Sequence, residues 1–131
     1  MSRPPEVQKA LIREPLLQAE ELAHKIIDIL SDKQAEDVLL LDIRNVASFA
    51  DYFVIATAGS SRQIDAILQT IDQDLRKGEK IRPGGTEGDA NTGWVLLDYG
   101  DVIVHIFGPQ ERAYYNLESL WATAVPVVRI Q

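Results

Sequence analysis

Residues 94–107 constrain the fold more than any other segment, because two apolar runs flank the turn pair Tyr99-Gly100. Two strand-like runs separated by a short glycine-containing pair are typical of a β-hairpin. A two-residue loop fixes the register of such a hairpin. The register predicts three cross-strand pairs: Asp98 with Asp101, Leu97 with Val102, and Trp94 with His105.

The predicted hairpin has two faces of different composition, because side chains alternate across a strand. One face is entirely aliphatic and is predicted to be core: Val95, Leu97, Val102, Val104 and Ile106. The other, called the mixed face below, combines aromatic, aliphatic and charged side chains: Trp94, Leu96, Asp98, Asp101, Ile103, His105 and Phe107. Since carboxylates are costly to bury without partners, the mixed face is predicted to bind another molecule.

The rest of the chain alternates helical and strand patterns. Apolar residues at three- and four-residue spacing predict helices from about residue 15 to 30, from Ser60 to a C-terminal cap at Gly78, and from Pro109 onward. Continuous apolar runs predict buried strands over residues 38–43 and 51–57, with a further short strand possible at 80–82 and a loop over 83–93. This order predicts an α/β fold with a mixed β-sheet flanked by helices.

Two of the predicted helices carry apolar stripes that are expected to face the core. On the helix that starts at Ser60 the inward residues are expected to be Ile64, Ile67, Leu68, Ile71 and Leu75, and on the last helix Ala113, Leu117, Leu120 and Trp121.

We divide the chain into an N-terminal arm (residues 1–14), one α/β domain (15–121) and a C-terminal extension (122–131). Val125 is expected to be extended because it precedes a proline.

Composition restricts the possible partners. The net charge is −7, and the 13 basic residues are scattered, so direct binding to a nucleic-acid backbone is disfavoured and a basic partner is favoured. The chain has no cysteine, which fits a reducing compartment. It has no apolar run of about 20 residues, and its first 20 residues resemble neither a signal nor a transit peptide. We therefore expect a cytoplasmic protein that does not bind membranes.

Several segments together carry a family resemblance: residues 51–57 (DYFVIAT), 59–63 (GSSRQ), Glu87-Gly88, the hairpin, and 115–121 (YNLESLW). In this order and spacing they resemble the Iojap-like ribosomal silencing factor family, over about residues 38–121. The resemblance implies a fold similar to that of nucleotidyltransferases but without their catalytic residues. It therefore implies a protein that is not an enzyme and has no cofactor.

The resemblance also implies a partner and a mechanism. Members of this family bind the large ribosomal subunit through ribosomal protein fourteen, block joining of the small subunit, and so reduce translation when nutrients are short. The family's contact surface maps onto Trp94, Asp98, Tyr99 and their neighbours, which overlaps the mixed face. The resulting predicted partner-binding residues are Trp94, Leu96, Asp98, Tyr99, Asp101 and His105. Among them Trp94 is expected to be the anchor, with Asp98 and Asp101 pairing with basic residues.

Two alternatives to this function remain open. One is a large-subunit assembly factor that uses the same docking site. The other is a nucleotide-binding enzyme, suggested by Gly59-Ser60, which is expected instead to be a helix cap. Asp72 and Asp74 do not support that enzyme, because residues two apart on a helix diverge by about 200° and cannot share a metal ion.

The sequence also bears on metal binding and self-association. The only histidines, His24 and His105, fall on different predicted elements, so no metal site is expected. The apolar members of the mixed face, Leu96, Ile103 and Phe107, would allow two copies to pair as a homodimer away from the ribosome.

Overall fold

The structure is a computed structural model that describes residues 17–131, so the predicted arm of residues 1–14 lies outside it. The helices of the described part are α1 (Ala19–Asp32), α2 (Ser61–Gln73), α3 (Pro109–Tyr115) and α4 (Leu117–Leu120). The strands are β1 (Glu36–Asp42), β2 (Tyr52–Thr57), β3 (Gly85–Glu87), β4 (Trp94–Asp98), β5 (Val102–Phe107) and β6 (Val125–Ile130).

The six strands form one mixed sheet in the order β3-β4-β5-β2-β1-β6. β2 and β5 are parallel, and every other neighbouring pair is antiparallel. The parallel pair is joined through α2, as a crossover between parallel strands requires. A mixed sheet with flanking helices confirms the predicted fold class.

The helices α1 and α2 pack their apolar stripes against one face of the sheet and enclose an aliphatic core. Ser60 caps α2 as predicted, since its Oγ accepts a hydrogen bond from the backbone N–H of Gln63 (3.1 Å). The predicted α2 stripe is buried except for Leu68, which is half-buried. The helix ends in a π-helical turn, Asp74–Gly78, but the prediction of Gly78 as its cap is wrong: the C-cap is Glu79, and the left-handed residue that follows is Lys80 (φ 58°).

A second, smaller core lies on the opposite face of the sheet and is rich in aromatic rings. The prediction of one continuous last helix over this face is wrong. Asn116 adopts a left-handed conformation (φ 44°) that ends α3 before α4 begins. The break changes the direction of the helix, so Leu117 is buried as predicted, whereas Ala113 and Leu120 are exposed.

The hairpin β4–β5 exists, but its predicted register is wrong by two residues. Asp98 pairs with Ile103, and the N–H of Tyr99 donates to the carbonyl of Val102 (2.9 Å), so the turn is centred one residue later, on Gly100-Asp101. A contact from outside the hairpin accompanies this register: the N–H groups of Asp51 and of Tyr52, at the start of β2, donate to the Asp101 carbonyl (2.8 and 3.0 Å). In the observed register, the other two corrected pairs are Leu97 with Val104 and Trp94 with Phe107. A shift of two residues keeps every side chain on its predicted face.

Two peripheral segments also differ from their predictions. Residues 80–82 are not a strand, and the predicted loop instead contains β3, which pairs with β4. Edge pairing uses backbone groups, so the glycine-rich composition does not prevent it. The tail, predicted to be extended at Val125, forms the other edge strand over Val125–Ile130 and pairs with β1.

Candidate partner-binding surface

His105 lies beneath the mixed face rather than on it. Only 3% of the residue is exposed, and burial lowers the pKa of its imidazole to about 4. The indole Nε1 of Trp94 donates a hydrogen bond to Nδ1 of His105 (3.2 Å). The neutral ring therefore carries its proton on Nε2, which is buried and has no hydrogen-bond partner among the described residues. His105 supports Trp94 and cannot itself contact a partner.

Trp94 is half-buried, and three rings fix its position. The indole stacks on Phe107, with ring centroids 5.0 Å apart, and packs against Tyr115 at 4.5 Å. His105 completes the set through the hydrogen bond to the indole nitrogen. Phe107 is fully buried, so it is unavailable for pairing two copies of the chain. The indole is thus held in one orientation with part of its surface exposed.

Leu96 and Asp98 follow Trp94 on the same face of β4, and both are half-exposed. One carboxylate oxygen of Asp98 accepts a hydrogen bond from the backbone N–H of Gly100 (2.8 Å), which stabilises the hairpin turn. Asp98 therefore already has a local structural role. Its second oxygen is the part of the group that can serve a partner.

Tyr99 and Asp101 are separated from these residues. Tyr99 packs against the core on the α1–α2 side of the sheet, and burial raises the pKa of its hydroxyl to about 12. It does not share a face with Trp94, although the family resemblance placed both residues on one contact surface. Asp101 is exposed at the hairpin tip. The structure thus brings Trp94, Leu96 and Asp98 together on one face with His105 buried beneath them, and separates Tyr99 and Asp101 from that group.

Glu87 joins this group and was not among the predicted site residues. It lies directly opposite Leu96 across the β3–β4 pair, so the two side chains share a face. Together with Gly88 and Trp94 they line a groove of about 230 Å³. The Glu87-Gly88 motif is visible in the sequence, but the position of Glu87 beside Leu96 is not, because this segment was predicted to be a loop and instead contains β3.

Apolar side chains continue the surface beyond Trp94. Tyr114 is 82% exposed and packs edge-on against Tyr115, and Leu120 is 75% exposed at the end of α4. Phe49 is also exposed and contacts the Trp121 ring (centroids 5.8 Å apart). A region with this many exposed rings is typical of a protein-binding surface.

The crevice at Gly59-Ser60 has a different character. The N–H of Gly59 donates to Oε1 of Gln63 (2.7 Å), and Ser60 caps the helix, so both groups have partners within the fold. Glu111 also lines this crevice, and its carboxylate disfavours a phosphate. Asp72 lies on α2, where its carboxylate accepts a hydrogen bond from Arg76 (2.9 Å). Within residues 17–131, no group of three or more His, Asp or Glu side chains could hold a metal ion.

No helix in the described part of the chain combines the length and apolar character needed to cross a membrane.

Comparison with known proteins identifies close relatives of this chain. The sequence model of the family described as "Ribosomal silencing factor during starvation" matches residues 17–131, which includes the C-terminal segment that the sequence analysis placed outside the shared core. The ribosomal silencing factor RsfS of Bacillus subtilis is 46% identical over 94 residues (71% of this chain, 78% of that protein). The RsfS protein of Halalkalibacterium halodurans is 38% identical over 112 residues (86% and 94%).

A solved structure is similar to this chain in both fold and sequence. A crystal structure of a protein from Chromobacterium violaceum superimposes with a TM-score of 0.75 at 32% identity, covering 81% of this chain and 88% of that one.

Proposed function

Since the chain belongs to the ribosomal silencing factor family, we propose that it represses translation by binding the large ribosomal subunit. The chain contacts ribosomal protein fourteen at the subunit interface. Bound there, it blocks association of the large subunit with the small subunit. The protein acts in the cytoplasm under nutrient limitation. It acts by occupying a surface, as a regulator rather than an enzyme, so no cofactor and no chemical step are involved.

The observation that carries this proposal is a row of half-exposed side chains on β4, called the hairpin strip below: Trp94, Leu96 and Asp98. Trp94 is fixed by His105, Phe107 and Tyr115, so little side-chain entropy is lost when a partner covers it. Tryptophans at the centre of an interface supply much of the binding energy. A standard-sized patch, roughly 800 Å² on each partner, is enough to exclude a competing subunit.

The charge of the chain supports a basic protein as the partner. The net charge is −7, and two carboxylates, Glu87 and Asp98, lie on the same face as Trp94 and Leu96. Complementary charge speeds encounter and disfavours wrong partners. The same charge disfavours direct binding to the RNA backbone.

We also propose that two copies of the chain pair through the mixed face of the hairpin when no ribosome is present. Leu96 and Ile103 are the half-exposed apolar side chains available for such contact. A monomer mass at micromolar concentration, measured by light scattering, would rule this out. A dimer that Leu96→Asp converts to a monomer would support it.

Sucrose-gradient sedimentation tests the proposed function. Purified large and small subunits are mixed with and without the protein, and the fractions are probed for it. The proposal predicts that the protein co-migrates with the large subunit and that the joined-ribosome peak is reduced. Co-migration without loss of that peak would favour the assembly role instead, and protein remaining at the top of the gradient would contradict ribosome binding altogether.

A further inference from the structure

We propose that the groove between β3 and β4 binds one cationic side chain, an arginine or a lysine, of the protein partner. The proposal rests on the proposed function and adds a specific subsite to it. The groove is lined by Glu87, Gly88, Trp94 and Leu96. Its volume of about 230 Å³ is below the roughly 300–1,000 Å³ of small-molecule sites, which favours a single side chain as the occupant.

The register of β3 and β4 places the required groups side by side. Glu87 pairs directly with Leu96, which puts their Cβ atoms about 5 Å apart on one face. Trp94 is two residues from Leu96 along β4 and therefore lies on the same face. A carboxylate, an aliphatic side chain and an indole thus share one face around the groove.

These three groups match the parts of a long cationic side chain. The methylene stem of a lysine or an arginine packs on apolar surface such as Leu96, while the charged end remains with polar groups. A cation is attracted to the face of an indole, and Glu87 can form a charge-assisted hydrogen bond with it. An anion would meet Glu87 and the nearby Asp98 instead, so a phosphate group does not fit this groove.

The backbone at the end of the groove requires a glycine. Gly88 has a φ of +80°, and a Cβ at this position would lie 2.0 Å from the carbonyl oxygen of Trp94, so only glycine fits. The next residue, Asp89, accepts hydrogen bonds from the backbone N–H groups of Asn91 (2.9 Å) and Thr92 (3.1 Å). Asp89 is therefore occupied in a capping box. Glu87 is the carboxylate that remains for a ligand.

The test is the binding of Glu87→Gln to purified large ribosomal subunits, measured by co-sedimentation at 50, 100 and 200 mM salt. This change removes the charge and keeps the shape of an exposed side chain. The matched control is Glu36→Gln, an exposed glutamate on β1, three strands away from β4 in the sheet. We expect Glu87→Gln to weaken binding about 5- to 20-fold at the lowest salt, with a shallower salt dependence, because one ion pair is lost.

Three results are distinguishable. If Glu87→Gln weakens binding and Glu36→Gln does not, the cationic subsite is supported. If wild type binds but Glu87→Gln binds equally well or more tightly, the subsite is wrong while the proposed function stands; tighter binding would indicate an anionic partner such as ribosomal RNA. If wild type does not bind at all, the proposed function fails, and the subsite fails with it.

Discussion

The two faces of the sheet differ in what they are made of and in how completely they are covered. The face under α1 and α2 is aliphatic, and helices of 14 and 13 residues cover it. The opposite face is aromatic, and its helices, α3 and α4, have 7 and 4 residues. The first face is a core and contributes mainly stability. The second is core at its centre and leaves Trp94 and its neighbours accessible at the edge, so it serves both stability and recognition.

Truncation of the aliphatic core is expected to have the largest effect on stability. Ile67 on α2 is fully buried, so Ile67→Ala removes methylenes and leaves a cavity. We expect the free energy of unfolding to fall by about 2–5 kcal/mol, measured by urea denaturation. Protein that remains folded should bind large subunits with wild-type affinity. A loss of ribosome binding larger than the loss of folded protein would mean that the two faces are not separate in function.

The aromatic face should make stability depend on pH through His105. Its pKa is about 4 in the folded protein and near 6.5 when unfolded, so the unfolded chain binds more protons between these values. The neutral imidazole therefore contributes full stability above about pH 6.5. That contribution is lost as the pH falls from 6.5 to 4, by on the order of 3 kcal/mol in total.

Urea denaturation at pH 7, 5.5 and 4 measures this dependence. His105→Phe should flatten the part of the slope between pH 6.5 and 4. His24→Gln, a change on the half-exposed surface of α1, is the control for removing a histidine outside the aromatic core. An unchanged slope in His105→Phe would contradict a buried neutral imidazole.

The ion pair that anchors α3 should contribute an intermediate amount. The side chain of Arg112 is 10% exposed; its Nη1 donates to Oγ1 of Thr57 (2.8 Å) and its Nε donates to Oε2 of Glu118 (3.0 Å). Arg112→Met leaves these acceptors without a donor, and we expect about 1–3 kcal/mol of destabilisation. Arg76→Met breaks an exposed pair with Asp72 and should cost less than about 1 kcal/mol. Equal costs would mean that burial does not strengthen the Arg112 contacts.

A smaller effect than that of Arg112→Met is expected at the cap of α2. Ser60→Ala removes the acceptor for the N–H of Gln63 and should reduce stability by about 1 kcal/mol. Ser60→Asp keeps an acceptor and should retain most of that stability. The nucleotide alternative predicts a further effect that we do not expect, namely a change in the heat of binding on titration with ATP and magnesium.

Local patterns in the sequence predicted the parts of the fold that depend on local physics. The α2 stripe and its Ser60 cap follow from residue spacing, and the hairpin follows from two apolar runs around a glycine. The register of the hairpin did not follow, because the turn residue Asp101 is also bound from outside the hairpin, by the N–H groups of Asp51 and Tyr52. Long-range contacts of this kind leave no trace in residue spacing.

The candidate site was predicted in part for the same reason. Alternation placed Trp94, Leu96 and Asp98 on one face correctly, since that needs only the period of a strand. It could not show that His105 is buried, because its cover comes from distant residues such as Phe53, whose ring centroid is 4.8 Å away. Glu87 was missed because its glycine-rich neighbourhood does not look like a strand.

Whether the hairpin is the docking surface for the large subunit is tested by comparing the two tryptophans of the aromatic face. Trp94→Ala and Trp121→Ala each remove a half-buried indole, but only Trp94 lies on the hairpin; Trp121 packs on Phe53 (centroids 5.0 Å apart). Both should lower stability by similar amounts, checked by urea denaturation. In the subunit-joining gradient, we expect Trp94→Ala to lose binding to the large subunit at least 100-fold and to leave the joined-ribosome peak intact, while Trp121→Ala still suppresses that peak. Wild-type binding by folded Trp94→Ala would contradict the claim that the hairpin strip is the docking surface.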